Sequence, residues 1–197
     1  MDLLSKSRAF SIAVNNRIVH EALLLCGKGE EGANNDGPTV REMLFDVNIF
    51  DAQSWCAAAV WHCIKNGFFA VVKEFYPKYW FFPQSDLDRL LRGLATIRSA
   101  GAKDMMHRMA ALGWVRPYTE GFMAGDILFL DREGKPWFGH VAILTEGVIA
   151  EKAHDHPLFA NTIEANLGMY PSLVEHNARD LANEPVLGVG RVFGFFE

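Results

Sequence analysis

The sequence contains little cysteine, no internal repeat, no low-complexity tract and no long apolar run, and each absence removes a class of protein. Its longest uninterrupted apolar stretches, such as FFAVV, are far too short to span a bilayer, so no membrane span is expected. Its three cysteines, Cys26, Cys56 and Cys63, are odd in number and lack metal-ligand spacing. A disulfide framework is therefore not expected, and at least one thiol should be free. Basic residues are not in excess, because 19 Lys and Arg face 24 Asp and Glu, a net charge of −5. That argues against broad electrostatic capture of nucleic acid or an anionic membrane, since both need a basic face. The first residues, MDLLSKSRAF, contain no apolar core of a secretory signal. The expectation is a protein cytoplasmic as synthesised, released or delivered by some other route if it acts outside its cell.

What is present is an ordinary globular composition over 197 residues, half of them hydrophobic. That length suggests one domain, large enough to bury a core without disulfide or metal support. From Ser7 to Cys26, apolar residues at Phe10, Ala13, Val14, Ile18, Ala22 and Leu25 mark one face of a helix that ends at Gly27. The stretch GKGEEGANNDGPTV follows, a loop by its Gly, Asn, Asp and Pro content. It is either a connector or a segment whose glycines bring backbone N–H groups close to a ligand. Val40 to Val47 looks like a short helix.

The next segment, DAQSWCAAAVWHCIK, reads as a buried helix capped by Ser54 or Asp51, with Cys56 in its first turn. Unpaired N–H groups and the positive end of the helix dipole favour a thiolate there. Cys63, two turns below on the same face, reads as core. Phe68 to Gln84 is dense in aromatics and broken by Pro77 and Pro83, which suits core packing or a wall of a groove. Two more helices are expected, from Ser85 and over Ala102 to Leu112.

From Gly125 the period changes from helix to strand. GDILFLDR and WFGHVAILTEG form a hairpin around Glu133-Gly134-Lys135, FANTIEANLG supplies a third strand and VLGVGRVFGFF a last one. Helices first and an antiparallel sheet afterwards make an α+β domain. His140 starts the second hairpin strand, while Thr162, Glu164 and Asn166 alternate with Ile163, Ala165 and Leu167. The polar three should share a face. A thiol at a helix start, a histidine on a strand and a carboxylate or amide on the next strand make a nucleophile, a base and an orienting group. Gln53 is placed to offer a side-chain N–H at an oxyanion site. His154-Asp155-His156 lacks further ligands at defined geometry, so no metal or other cofactor is expected. His62, His107 and His176 have no partner legible in the sequence.

Five segments in this order, GEEGANNDGP, SWCAAAV, AGDILFL, FGHVAIL and NTIEANLG, resemble the CHAP domains, cysteine- and histidine-dependent amidohydrolases and peptidases akin to NlpC-type enzymes. The resemblance covers residues 29 to 168. It implies a papain-like core in which the nucleophile's helix packs on a C-terminal antiparallel sheet. The whole of 1–197 would be one such domain, with a helical, aromatic-rich insertion at about 67–124. Cys56 would be the nucleophile, His140 the base, and Glu164 or Asn166 the third residue, with Glu164 favoured. Asn35 and Trp55 would contact substrate.

The implied substrate is peptidoglycan or its peptide stem, with an immunity protein or a secretion machine as further partners. Met123-Ala124 and Ala165 depart from the family pattern and bear on substrate, not on reaction class. Two other readings stand beside this one: a binding protein on the same fold, and an amidase or acyl transferase acting on a small intracellular metabolite.

Overall fold

The computed structural model describes residues 3–75, 84–132, 139–148 and 159–194. Five helices come first: α1 (Leu3–Leu25), α2 (Pro38–Asp46), α3 (Cys56–Phe75), α4 (Gln84–Ile97) and α5 (Ala102–Ala111). Six strands follow: β1 (Val115–Arg116), β2 (Ile127–Asp131), β3 (Gly139–Leu144), β4 (Phe159–Glu164), β5 (Glu175–Asp180) and β6 (Val186–Gly190). They form one antiparallel sheet in the order β1-β6-β2-β3-β4-β5. Five helices packed on a six-stranded antiparallel sheet make the chain α+β.

The core is organised around α3. Every residue from Cys56 to Ile64 is buried, so the first half of this helix is enclosed on all sides, His62 included. Its alanines let neighbours approach closely, and α1 is the closest, presenting Phe10, Val14, Ile18, Ala22 and Leu25 along one stripe. Val141, Ile143, Ile127, Phe129 and Ile163 face this helical layer from the sheet. Leu128, Leu130, Ala142, Leu144, Ala160 and Val189 face the other way, under Phe122 and Leu181. The central strands are therefore buried on both faces, which explains why β2 and β3 read as nearly continuous apolar runs.

Two close approaches fix how the layers join. Gly125 has φ 85, and a β-carbon there would lie 2.2 Å from the carbonyl oxygen of Asn15 on α1, so only glycine fits. Beside it, fully buried Asp126 accepts Asn15 Nδ2 at 3.0 Å, Arg191 Nε and Nη2 at 2.8 and 2.6 Å, and the Met123 N–H at 2.9 Å. One carboxylate thus ties the first helix, the start of β2 and the end of β6. At Gly29 the loop bridges to Leu173, and a β-carbon would meet the Ser172 oxygen at 2.2 Å. This glycine serves contact between loops, so the connector reading of its segment accounts for it.

Several elements differ from the sequence expectation. The helix expected from Ser85 starts at Gln84 and runs for 14 residues, reaching Ile97. Strands β1 and β5 were not legible, because β1 has two residues and EHNARD in β5 shows no apolar alternation. Phe68 is core, packed with Phe10 and Phe193 at centroid distances of 6.0 and 5.5 Å. The rest of the aromatic segment from 76, and the turn at Glu133-Gly134-Lys135, lie outside the described residues. Among the described residues no helix is long and apolar enough to cross a membrane.

Candidate active site

Strands β3 and β4 pair only from Leu144–Thr162 to Ala142–Glu164. Beyond that last pair they part, and His140 lies in the gap. The start of α3 enters the same gap from the helical side: Asn166, two residues past β4, donates its amide N–H to Ser54 Oγ at 2.7 Å. Ser54 stands two residues before Cys56 and serves this link, not the helix cap. The first helical bond runs from the Ala59 N–H to the Trp55 carbonyl at 2.9 Å, which makes Trp55 the N-cap and Cys56 the first helical residue.

His140 Nε2–H donates to Glu164 Oε2 at 2.7 Å, and both side chains are almost wholly buried. Glu164 is fixed in turn by Thr162, whose hydroxyl donates to Oε1 at 2.6 Å, and by Arg179 of β5. Arg179 forms a two-point clamp, with Nε to Oε1 at 2.7 Å and Nη2 to Oε2 at 2.6 Å. His140, Glu164, Thr162 and Arg179 share one sheet face, since they pair across strands with Leu130, Ala142, Leu144 and Ala160 of the second apolar layer. Asn166 leaves that face. Its φ of 61 turns the chain, so its side chain meets Ser54 and the histidine is left to Glu164.

The other ring nitrogen, Nδ1, is buried with no hydrogen-bond partner within bonding geometry among the described residues, while Cys56 is near enough to His140 for each to shift the other's ionisation. The electrostatics single this thiol out. Burial alone would raise the Cys56 pKa, but its contact with His140, the nearby Arg132 charge and the Ala57 N–H outweigh that and lower it. Burial likewise works against a charged His140, yet Cys56 and Glu164 raise its pKa. Burial opposes ionisation of Glu164 too, but Arg179, His140 and Thr162 hold its carboxyl down at about 2. Both shifts run in the direction of thiolate and imidazolium, with the Glu164 carboxylate and the Arg179 guanidinium behind them. Cys63, on the same helix, shows the opposite case: burial pushes its thiol up with no cation to offset it, and Cys26 is raised by burial as well.

The remaining expected site residues fall around this centre. Gln53 is exposed on the coil before α3, on the approach to the helix N-terminus. Asn35 adopts a left-handed φ of 55 and lines a surface groove of about 400 Å3 with Asp36, Arg41, Phe50, Asp51 and Ala52. Cys56, His140 and Gln53 are not among the residues that line it. Trp55 does not contact solvent at all, and its indole N–H is bonded to Glu30 Oε1 at 3.1 Å, so it is a core residue beside Cys56 and does not line an open groove.

Sequence reasoning missed Arg179, Thr162 as a carboxylate partner, and Glu30. It also left His62 without a partner. Its Nδ1 meets Asp46 at 2.7 Å and its Nε2 meets Asn66 at 2.9 Å, a satisfied knot between α2 and α3 with no free ring nitrogen for chemistry. His154-Asp155-His156 lies outside the described residues. No protein-family model, no curated protein and no solved structure matches the chain.

Proposed function

We propose that the chain is a cysteine-dependent amide hydrolase on a papain-like core, in which Cys56 attacks and His140 shuttles the proton. The observation that carries this reading is the buried line from Cys56 through His140 and Glu164 to Arg179. A structural histidine needs no thiol at its second nitrogen, and a structural thiol at this depth would be raised, as Cys63 is.

The chemistry follows from the arrangement. The Cys56 thiolate adds to an amide carbonyl, and the oxygen that becomes negative is met by N–H groups that the first turn of a helix leaves unpaired, with Gln53 close by. His140, as imidazolium, protonates the departing amine, and the C–N bond breaks to leave a thioester. Water then attacks the thioester, giving its proton to the neutral imidazole, and the acid is released with Cys56 restored. Glu164 holds the ring in the tautomer that keeps Nδ1 toward sulfur and stabilises the imidazolium.

Peptidoglycan peptide, or the muramoyl-alanine amide, is the substrate supported by the ordered segments around Cys56, His140 and Glu164. A small-metabolite amidase is the second reading, favoured by one observation: Cys56 is 5% exposed and His140 1%, a narrow mouth. Sacculi and defined muropeptides, incubated with wild type and with Cys56→Ala and analysed by mass spectrometry, separate the two. New amine and acid termini made only by wild type support wall hydrolysis and identify the bond. No product from any wall type, with Cys56 alkylating no faster than a simple thiol, rejects it.

A further inference from the structure

Glu30 is a buried carboxylate outside the Cys56–His140–Glu164 line, 4% exposed, and three N–H groups from three different segments converge on it. Oε1 accepts the Trp55 indole N–H at 3.1 Å and the Asn35 backbone N–H at 3.0 Å, and Oε2 accepts the Ser172 N–H at 2.8 Å. All three partners are donors. A carboxylate is acceptor-only and offers each of them a lone pair. Each partner belongs to a different part of the site. Trp55 is the residue whose carbonyl opens α3 immediately before Cys56. Asn35 stands at the groove of about 400 Å3. Ser172 ends the loop that begins at Asn166, which grips Ser54. A surface loop rarely sinks an acid this far, since burying one without full hydrogen bonding costs several kcal/mol.

We infer that Glu30 is a positioning residue of the proposed active site, fixing Trp55 and so the first turn of α3 against the groove wall and the 166–172 loop. This rests on the hydrolase reading above. Glu30 touches no reacting atom. It sets where the Cys56 sulfur and the free N–H groups of the helix start stand relative to a substrate lying past Asn35. The physical route is short: the indole N–H bond holds the Trp55 side chain, the side chain holds its own backbone, and that backbone carries the first helical acceptor. Reaction geometry is sensitive to displacements of about 1 Å, which can cost on the order of a hundredfold in rate.

The test uses Glu30→Gln, Trp55→Phe and the double variant in the full chain. Glu30→Gln keeps the shape but sets an NH2 group against one of the three donors. Both single variants should lower kcat about tenfold with KM within about twofold, and the double should be no worse than the poorer single, because both break one link. The midpoint of Cys56 alkylation against pH should stay in place in all three. A charge effect of Glu30 on the thiol would move it, and an unfolded site would abolish it.

Hydrogen exchange gives a readout that needs no substrate. Protection of the Ala59 N–H, bonded to Trp55, should fall about tenfold in Glu30→Gln while that of Ile64 holds. If Glu30→Gln fails to fold, Trp55→Phe carries both measurements, since it leaves Glu30 its two backbone donors. Unchanged kcat together with unchanged Ala59 protection overturns the inference, as does strict additivity of the two substitutions. If wild type cleaves no amide, the hydrolase reading fails, and the Ala59 exchange still decides whether Glu30 sets the helix start.

Discussion

Nε2 of His140 and Oε2 of Glu164 lie 2.7 Å apart in a place where neither side chain meets solvent. A carboxylate in that position keeps the imidazole from rotating and favours its charged form, so the thiol beside Nδ1 is biased toward thiolate.

The first consequence concerns thiol reactivity. With the Cys56 pKa lowered and that of His140 raised, the reactive ion pair should persist across neutral pH, giving a bell-shaped kcat/KM profile. Its acid limb belongs to the thiol and its alkaline limb to the imidazole. In His140→Ala the burial of Cys56 remains but the cation is gone, so iodoacetamide alkylation at pH 7 should slow about tenfold or more. Equal alkylation profiles for the two proteins would show that His140 is not the partner.

Glu164 and Asn166 can be told apart by rate. Asn166 holds Ser54, so Asn166→Ala should cost less than about tenfold in kcat. Glu164→Gln weakens the histidine's support directly and should cost on the order of a hundredfold. The comparison is made on whichever amide wild type cleaves, and the reverse ranking would make the amide the orienting group.

Acid stability should report on Glu164. In the unfolded chain its carboxyl titrates near the ordinary value of 4.5, and in the fold near 2. Between those values the unfolded chain takes up a proton that the fold does not, so this contribution is full above about pH 4.5 and lost as pH falls toward 2. Urea midpoints measured from pH 6 to pH 2.5 should fall more steeply for wild type than for Glu164→Gln. Arg179→Met, which leaves the carboxylate buried without its cation, should lower stability at pH 7 by about 3–5 kcal/mol.

Much of this was legible where the pattern is periodic. The α1 stripe, the Ala-rich start of α3 and the β2–β3 pair announce themselves by composition and spacing, and His140 and Glu164 fall at positions that such elements define. Arg179 was hidden because β5 is a polar strand, identified only by its pairing with β4. Glu30 was hidden because a carboxylate in a Gly- and Asn-rich loop gives no sign that it will be buried. Trp55 was misplaced for the same reason: its indole partner is 25 positions away in sequence. Asn166 follows the strand alternation on paper, and one left-handed residue removes it.

Gly125 offers a test of the frame. Alanine there must move the α1 backbone at Asn15 and adopt a φ of 85, two costs that together should exceed about 2 kcal/mol. Thermal denaturation of Gly125→Ala should show a drop of several degrees or more, and a melting temperature equal to wild type would mean that α1 yields freely there.

The guanidinium behind Glu164 comes from β5, the outermost strand of the sheet among the described residues. Outermost strands open at lower free energy than central ones. Fraying of β5 would withdraw Arg179 while α3, β2 and β3 stay packed, leaving an intact core around a silent histidine. Heat should therefore silence turnover several degrees before the far-ultraviolet signal melts, with amide exchange in Glu175–Asp180 rising first.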